Sequence, residues 1–444
     1  MLSRKLSLAC IILLFTIAGC SSNEAPQSPV PEENPDASPT AEAPMEEAPK
    51  AEPAGGNAEI PESSPPPQLP KDRNTYAAPA PPAPEASDSR SIRRPGQKTE
   101  RKGFTSERVF FATNRKPSDS PSADSDPDQF FSAARSELRY GWCDVSIPYR
   151  RLPGSLPEPS ILRLEFSQDP AKHIVLLEIN LLPDADFWDQ VRTRVEASED
   201  RSLFLFIHGY AATFRDAARR TAQLAWDMNY SGAAMFFSWP AGGPEEGFLE
   251  GTNYLKDLRN AAASDYDLLT VLEQISLRSG ARKIHVAAHS MGSHLLTESL
   301  KRWHDKLTPQ STRPAAFHKL VLAAPDVDAG LFVNKHGRQL AAFHSGLTVY
   351  ASNSDRALDL SRKVNDYNPL GQINSDSLAG AREKLYDLVD VSTLTSNWFD
   401  TGHLYYGDLP EMIHDLQLLF RGILAQDPAR KLRLESDFFQ LNPG

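Results

Sequence analysis

Lys283-Ile284-His285-Val286-Ala287-Ala288-His289-Ser290-Met291-Gly292-Ser293-His294-Leu295-Leu296 is the stretch that decides how the chain is read. It starts as a β-branched and apolar run and continues with helix-like periodicity, and Ser290 sits between the two. Ala288 and Gly292 stand two residues away on either side, giving a small-x-Ser-x-Gly nucleophile elbow. The pattern answers crowding. A strand that turns sharply into a helix holds its serine in a strained backbone, so the neighbours two residues away must lack bulk. The serine oxygen then stands at the carboxyl edge of a sheet, beside the amino end of a helix. A bare Ser-Gly turn ending a strand gives the same five residues, so the partners elsewhere in the chain have to decide.

Outward from the elbow, strands and helices alternate from Leu203 onward, the mark of a parallel α/β sheet. Leu203–Ile207 is a continuous apolar run, as a strand buried on both faces requires. Thr213–Asn229 reads as a helix and Ala233–Trp239 as a strand stopped by Pro240. Tyr254–Leu277 reads as one long helix ended by Gly280. Lys319–Ala324, Leu347–Ala351 and Leu388–Val391 follow as strands, and Pro410–Phe420 as a closing amphipathic helix. Upstream, Arg108–Arg115, Tyr140–Pro148, Ile161–Phe166 and Ile174–Leu181 have strand character and form an N-terminal strand extension. The expected architecture is α/β, a mostly parallel sheet flanked by helices.

A serine is a poor nucleophile near neutral pH without a base held against it. In a sheet of this order the partners follow as Ser, then Asp or Glu, then His. Of the 11 histidines, only His403 and His414 follow the last acid-bearing loop. His414 falls inside the closing helix. His403, in Asp400-Thr401-Gly402-His403-Leu404, falls in a turn between the last strand and that helix, and is the expected base. Asp355, directly after the strand ending at Ala351, is the favoured acid. Asp326, in Ala324-Pro325-Asp326-Val327-Asp328, is the alternative; its other use is to cap a helix or bind loop backbone. The Ile207-His208-Gly209-Tyr210 turn supplies the oxyanion side, with the backbone amides of Tyr210 and Met291 as the expected donors. His208 precedes the serine and is read as holding the loop, and His289 as a packing residue. Phe248, Leu249 and Tyr254 suit an acyl group, or equally pack on the core. No metal-ligand spacing and no phosphate loop is visible, so neither metal nor cofactor is expected.

The first hundred residues read differently. Arg4 and Lys5 precede the short apolar run Leu6–Ile17, and Ile17-Ala18-Gly19-Cys20 resembles the bacterial lipobox, whose cleavage leaves an acylated cysteine. Residues 1–20 are therefore expected to be a lipoprotein signal with lipidation at Cys20. Ser21 after the cysteine implies the outer membrane facing the periplasm. Half of the 36 prolines lie between Ser21 and Gln97, in a stretch rich in Ala, Glu and Ser. It cannot bury enough apolar surface to offset ordering entropy, so residues 21–101 are expected to be a disordered tether, with ends about 50 Å apart as a coil. Residues 102–444 are the expected folded domain. Cys143 alone remains after Cys10 and Cys20 are accounted for, so no disulfide is expected, and its strand context makes it a buried thiol. The net charge of -11 argues against a nucleic-acid partner.

The landmarks from about Arg108 to Gly422 resemble a bacterial α/β-hydrolase family of uncharacterised function. They are Phe111-Ala112-Thr113-Asn114-Arg115, Tyr140-Gly141, Val145-Ser146-Ile147-Pro148, His208-Gly209-Tyr210 with Phe214, Phe237-Ser238-Trp239-Pro240, Tyr254 with Asp257, His289-Ser290-Met291-Gly292, and Ala324-Pro325-Asp326-Val327-Asp328. The family often carries Asn after His-Gly-Tyr, where this chain has Ala211. The resemblance implies the α/β-hydrolase fold and a Ser-Asp-His hydrolase, and it supplies no substrate. The expected function is a membrane-anchored serine esterase acting on a small or lipid-like ester. The alternative is a non-catalytic envelope binding or scaffold protein that keeps the fold. Neither reading identifies a protein partner.

Overall fold

The computed structural model describes residues 91–93, 103–118, 126–160, 165–243, 251–307, 317–394 and 402–443, all within one unit, residues 80–444. The expected signal, Cys20 and nearly all of the tether lie outside the described residues, as do Phe248, Leu249, Asp400 and Thr401.

The centre of the sheet is made by apolar runs too continuous for a one-sided strand. These are β5 (Ser202–Ile207), β6 (Ala233–Ser238), β7 (Lys283–His289), β8 (Lys319–Ala323) and β9 (Leu347–Ala351), in which nearly every residue is buried. With β1 (Ser91–Arg93), β2 (Phe104–Pro117), β3 (Phe131–Pro148), β4 (Leu176–Leu182), β10 (Asp387–Asp390), β11 (Leu432–Leu434) and β12 (Phe439–Leu441), they form a 12-stranded sheet in the order β1-β4-β3-β2-β6-β5-β7-β8-β9-β10-β12-β11. From β2 to β12 the pairs are parallel. The β1–β4, β4–β3 and β3–β2 pairs at one edge and β12–β11 at the other are antiparallel.

Side-chain alternation divides the core in two. Leu203, Leu205 and Ile207 face a cluster with α1 (Asp184–Glu196), α4 (Asp265–Arg278) and α5 (Met291–Lys306), on which Leu378 and Ala381 of α7 (Ser375–Arg382) pack; Phe204 and Phe206 face a cluster with α2 (Phe214–Asp227) and α8 (Pro410–Phe420). The chain leaves β5 toward α2 on one face and leaves β7 toward α5 on the other. Adjacent strands whose exits diverge open a crevice at their carboxyl ends, which is where such sheets bind ligands.

The structure corrects several sequence expectations. The long helix expected over Tyr254–Leu277 is two, α3 (Gly251–Ala263) and α4, interrupted at Ser264. The Ser264 hydroxyl donates to Asn260 O (2.7 Å) and accepts from Asn114 Nδ2 (2.9 Å), so a side chain from β2 holds the break open. No strand forms at Glu165 and Phe166, while residues 161–164 lie outside the described residues. Glu165 N donates to Ser160 O at 3.0 Å rather than to a neighbouring strand. The N-terminal strands do extend the sheet as expected: β2 pairs in parallel with β6, and β3 and β4 follow antiparallel at that edge. Ser91–Arg93, within the expected tether, pairs with Glu178–Asn180. Cys143 is buried on β3.

Candidate active site

The β7–α5 junction has the backbone its sequence demands. Ser290 adopts φ 51°, ψ -124°, a conformation that costs an L-residue strain and persists only where its surroundings enforce it. Here they do. Ser290 N donates to Ala323 O of the neighbouring strand at 3.0 Å, and Ser290 O accepts from Ser293 N at 2.9 Å and Asp326 N at 3.3 Å. A Cβ at Gly292 would lie 2.4 Å from His208 O and 2.8 Å from Ile207 O, so only glycine lets the elbow meet the end of β5. A Cβ at Gly209 would lie 2.9 Å from the Ser290 Cβ. The His-Gly-Tyr turn therefore abuts the serine directly. Met291 is the first residue of α5, and its amide is one of the four that a helix leaves without an internal acceptor.

Asp355 and His403, 48 residues apart, are brought into contact. His403 Nδ1–H donates to Asp355 Oδ2 at 2.7 Å, and both side chains are buried. A carboxylate takes the Nδ1 proton, so the neutral imidazole presents Nε2 as its acceptor. The other oxygen of Asp355 caps α6 (Arg356–Asn365), accepting from Ala357 N (3.0 Å) and Leu358 N (3.1 Å). His289, the residue before Ser290, donates from Nε2 to His403 O at 3.1 Å and stacks on Tyr406 with ring centroids 4.3 Å apart. Burial holds its pKa well below the usual histidine range, with the neighbouring His403 adding to the effect, so it is a neutral tie between the elbow and the His403 segment.

Asp326 stands elsewhere. Its carboxylate accepts from Ser361 Oγ (2.5 Å), Tyr367 OH (3.0 Å) and Tyr254 OH (2.8 Å). These are side-chain rather than backbone bonds, and the helix start nearby is capped by Asp328, which accepts from Leu331 N. Burial first, then the nearby Asp326 charge, push the Tyr254 and Tyr367 hydroxyls above their usual range, so both remain protonated donors. The Tyr254 ring also packs against Tyr210, centroids 5.8 Å apart. His414 is exposed on α8.

The turn after β5 is held by residues that the sequence marks as landmarks without disclosing their work. His208 stacks on Trp239, at 5.1 Å and 12°, and Trp239 Nε1 donates to His208 O at 2.9 Å. His208 Nδ1–H donates to Gly209 O (2.9 Å), leaving Nε2 to accept from Ser238 Oγ (3.3 Å). Burial, helped by the Arg115 charge, brings the His208 pKa down to about 3, so the ring is neutral. Fully buried Arg115 donates from Nε to Ser238 Oγ (2.8 Å) and from its terminal nitrogens to Ala212 O (2.7 Å) and Ala241 O (3.0 Å). Asp257 accepts from Ala211 N (3.2 Å) and Gly242 N (2.9 Å). Arg115 and Asp257 thus tie the turn to the loop after β6. Among the described residues, no group of three or more His, Cys, Asp or Glu side chains could hold a metal ion.

Residues 184–421, more than half of the chain, match the family described as alpha/beta hydrolase of unknown function (DUF900). No curated protein matches the chain. Among solved structures, the chain is similar to a predicted CIB-like hydrolase from Thermoplasma acidophilum at 15% identity and TM-score 0.27, over 50% of this chain and 88% of that one. It is also similar to Est1E from Butyrivibrio proteoclasticus (14%, TM-score 0.29, 50% and 88%). A third is an esterase B from Lactobacillus rhamnosis (11%, TM-score 0.31, 71% and 89%). On the extent of the family match and the fold that carries it, the chain belongs to the alpha/beta hydrolases of unknown function.

Proposed function

We propose that this chain is a serine hydrolase acting on carboxylic esters, with Ser290 as nucleophile, His403 as base and Asp355 as the carboxylate that orients it. The observation carrying the reading is the Nδ1–Oδ2 bond of 2.7 Å between His403 and buried Asp355, in a segment tied to the residue next to Ser290. That bond leaves Nε2 as the only ring atom able to take a proton. In the first step the Ser290 oxygen bonds the ester carbonyl carbon while its proton passes to His403 Nε2. The carbonyl oxygen, now negative, is held by the amides of Tyr210 and Met291. The tetrahedral carbon then expels the alcohol oxygen, which takes the proton from Nε2, leaving an acyl-serine. Water repeats the sequence, giving up a proton to Nε2, and the carboxylic acid leaves as Ser290 recovers its hydrogen.

In the same proposal the enzyme sits on the bacterial envelope, tethered through acylated Cys20. Replacing Cys20 with Ser in the expressing cell should move the protein from the membrane to the soluble fraction. For the chemistry, an alkyl fluorophosphonate should label the full chain, and Ser290→Ala should abolish labelling while leaving the melting transition in place. Undiminished labelling of a folded Ser290→Ala protein would refute the assignment.

A further inference from the structure

A cavity of about 390 Å³ opens beside His403. It is lined by the turn His208–Ala212, by His403, Leu404 and Tyr406, and by Phe206 and Ala217. Gly209 belongs to this wall and also abuts Ser290, so the cavity is adjacent to the proposed nucleophile.

Charged side chains reach the cavity, and each already has a partner of opposite charge. Arg220 donates to Asp408 (2.7 Å) and lies over the Tyr406 ring. Asp216 accepts from Thr213 N (3.1 Å) and Oγ1 (2.6 Å) and pairs with Arg215 (3.2 Å). Glu158 pairs with Arg219. Besides His403, the buried histidines His208 and His289 line it, and burial holds both neutral. A charged group entering here would find no spare counter-charge and would be desolvated without compensation. An apolar group would meet Phe206, Ala212, Ala217 and Leu404 instead.

The volume sets a length. At about 30 Å³ per water-sized unit, the cavity holds roughly a dozen non-hydrogen atoms. It lies at the small end of the range for ligand pockets. Five consecutive residues of its wall come from the turn proposed to hold the carbonyl oxygen. The acyl group stays bonded to that carbonyl through both half-reactions while the alcohol departs after the first, so a cavity bordering the turn serves the acyl group throughout.

We propose that this cavity receives the acyl group of a neutral, short- to medium-chain ester, an inference that rests on the esterase reading above. The test is turnover of p-nitrophenyl esters by the full chain, comparing acetyl, butanoyl, octanoyl, hexadecanoyl and succinyl groups. The expected kcat/KM is highest for butanoyl or octanoyl and lower by about tenfold or more for hexadecanoyl and succinyl. Ala217→Phe should lower the octanoyl-to-acetyl ratio, and Leu404→Ala should raise the hexadecanoyl-to-octanoyl ratio. Leu404 is 39% exposed, so its variant still reads out if Ala217→Phe fails to melt cooperatively. Unchanged ratios in folded variants, or a preference for the succinyl ester, would overturn the cavity assignment. If Ser290-dependent fluorophosphonate labelling persists in that case, the esterase reading stands alone. Loss of both labelling and all ester turnover in the unaltered chain would overturn the two together.

Discussion

Asp355 works with two separate oxygens, and Asp355→Asn separates their effects. Oδ1 caps α6 through two amides at 3.0 and 3.1 Å, and Oδ2 accepts the His403 Nδ1 proton at 2.7 Å. Asparagine is as good an N-cap as aspartate, so its amide oxygen keeps the first set of bonds. Its NH₂ then faces His403 Nδ1 and can only donate, which drives the ring proton to Nε2. The proposed base is thereby occupied in the wrong tautomer, a change that costs about 10⁴ in kcat in enzymes using this arrangement, or about 5.5 kcal/mol of barrier. Stability should change by only about 1 kcal/mol, since one buried hydrogen bond replaces another. Asp355→Ala removes the cap as well, adding about 1 kcal/mol of destabilisation. Turnover of a chromogenic ester and thermal melting, measured on the two variants, check both parts. The reasoning fails if Asp355→Asn keeps turnover near that of the unaltered chain, or if it melts as low as Asp355→Ala with its rate intact.

Four further outcomes follow from the same geometry. Gly292→Ala places a Cβ 2.4 Å from His208 O, so it should lower the melting temperature and abolish fluorophosphonate labelling; wild-type labelling would show that the elbow yields. Ala211 holds φ 53°, where Gly and Asn are at ease, and Ala211→Gly should stabilise the fold by up to about 1 kcal/mol in urea titration. His289→Ala removes the donor to His403 O and should lower kcat more than it raises KM, with partial recovery in His289→Gln, whose amide can donate. His208 and His285 are held at a pKa of about 3 by burial, below the ordinary 6.5. Such depressed groups contribute stability that is full above about pH 6.5 and lost as pH falls toward 3. Unfolding free energies from urea titration at pH 7 and pH 5 should therefore differ by about 4 kcal/mol from these two rings.

What the sequence discloses follows from local rules. The elbow is legible because a strand-to-helix turn around a serine forbids bulk at fixed positions, and Gly292 meets its neighbours at the distance that rule implies. The strands of the parallel centre are legible because burial on both faces leaves no polar alternation. The α8 boundaries match the expected Pro410–Phe420, because proline at the first turn and a regular apolar stripe mark it. Strands β11 and β12 are not legible: three residues carry no periodicity, and the buried Arg430–Asp415 pair (2.7 Å) that anchors the preceding turn joins residues 15 apart.

The chain order Ser, Asp, His narrows the candidates and leaves two acids open. Only the folded sheet distinguishes their surroundings, by laying β9 and β10 side by side so that Asp355 meets His403 while Asp326 faces Tyr254, Ser361 and Tyr367. The work of Arg115 and Asp257 is likewise invisible in one dimension, since a guanidinium on β2 and a carboxylate on α3 converge on the turn after β5 only when those elements pack. Local sterics write themselves into adjacent residues. Hydrogen bonds between distant loops do not, because any donor and acceptor of the right type satisfy the sequence, and only packing selects which pair meets.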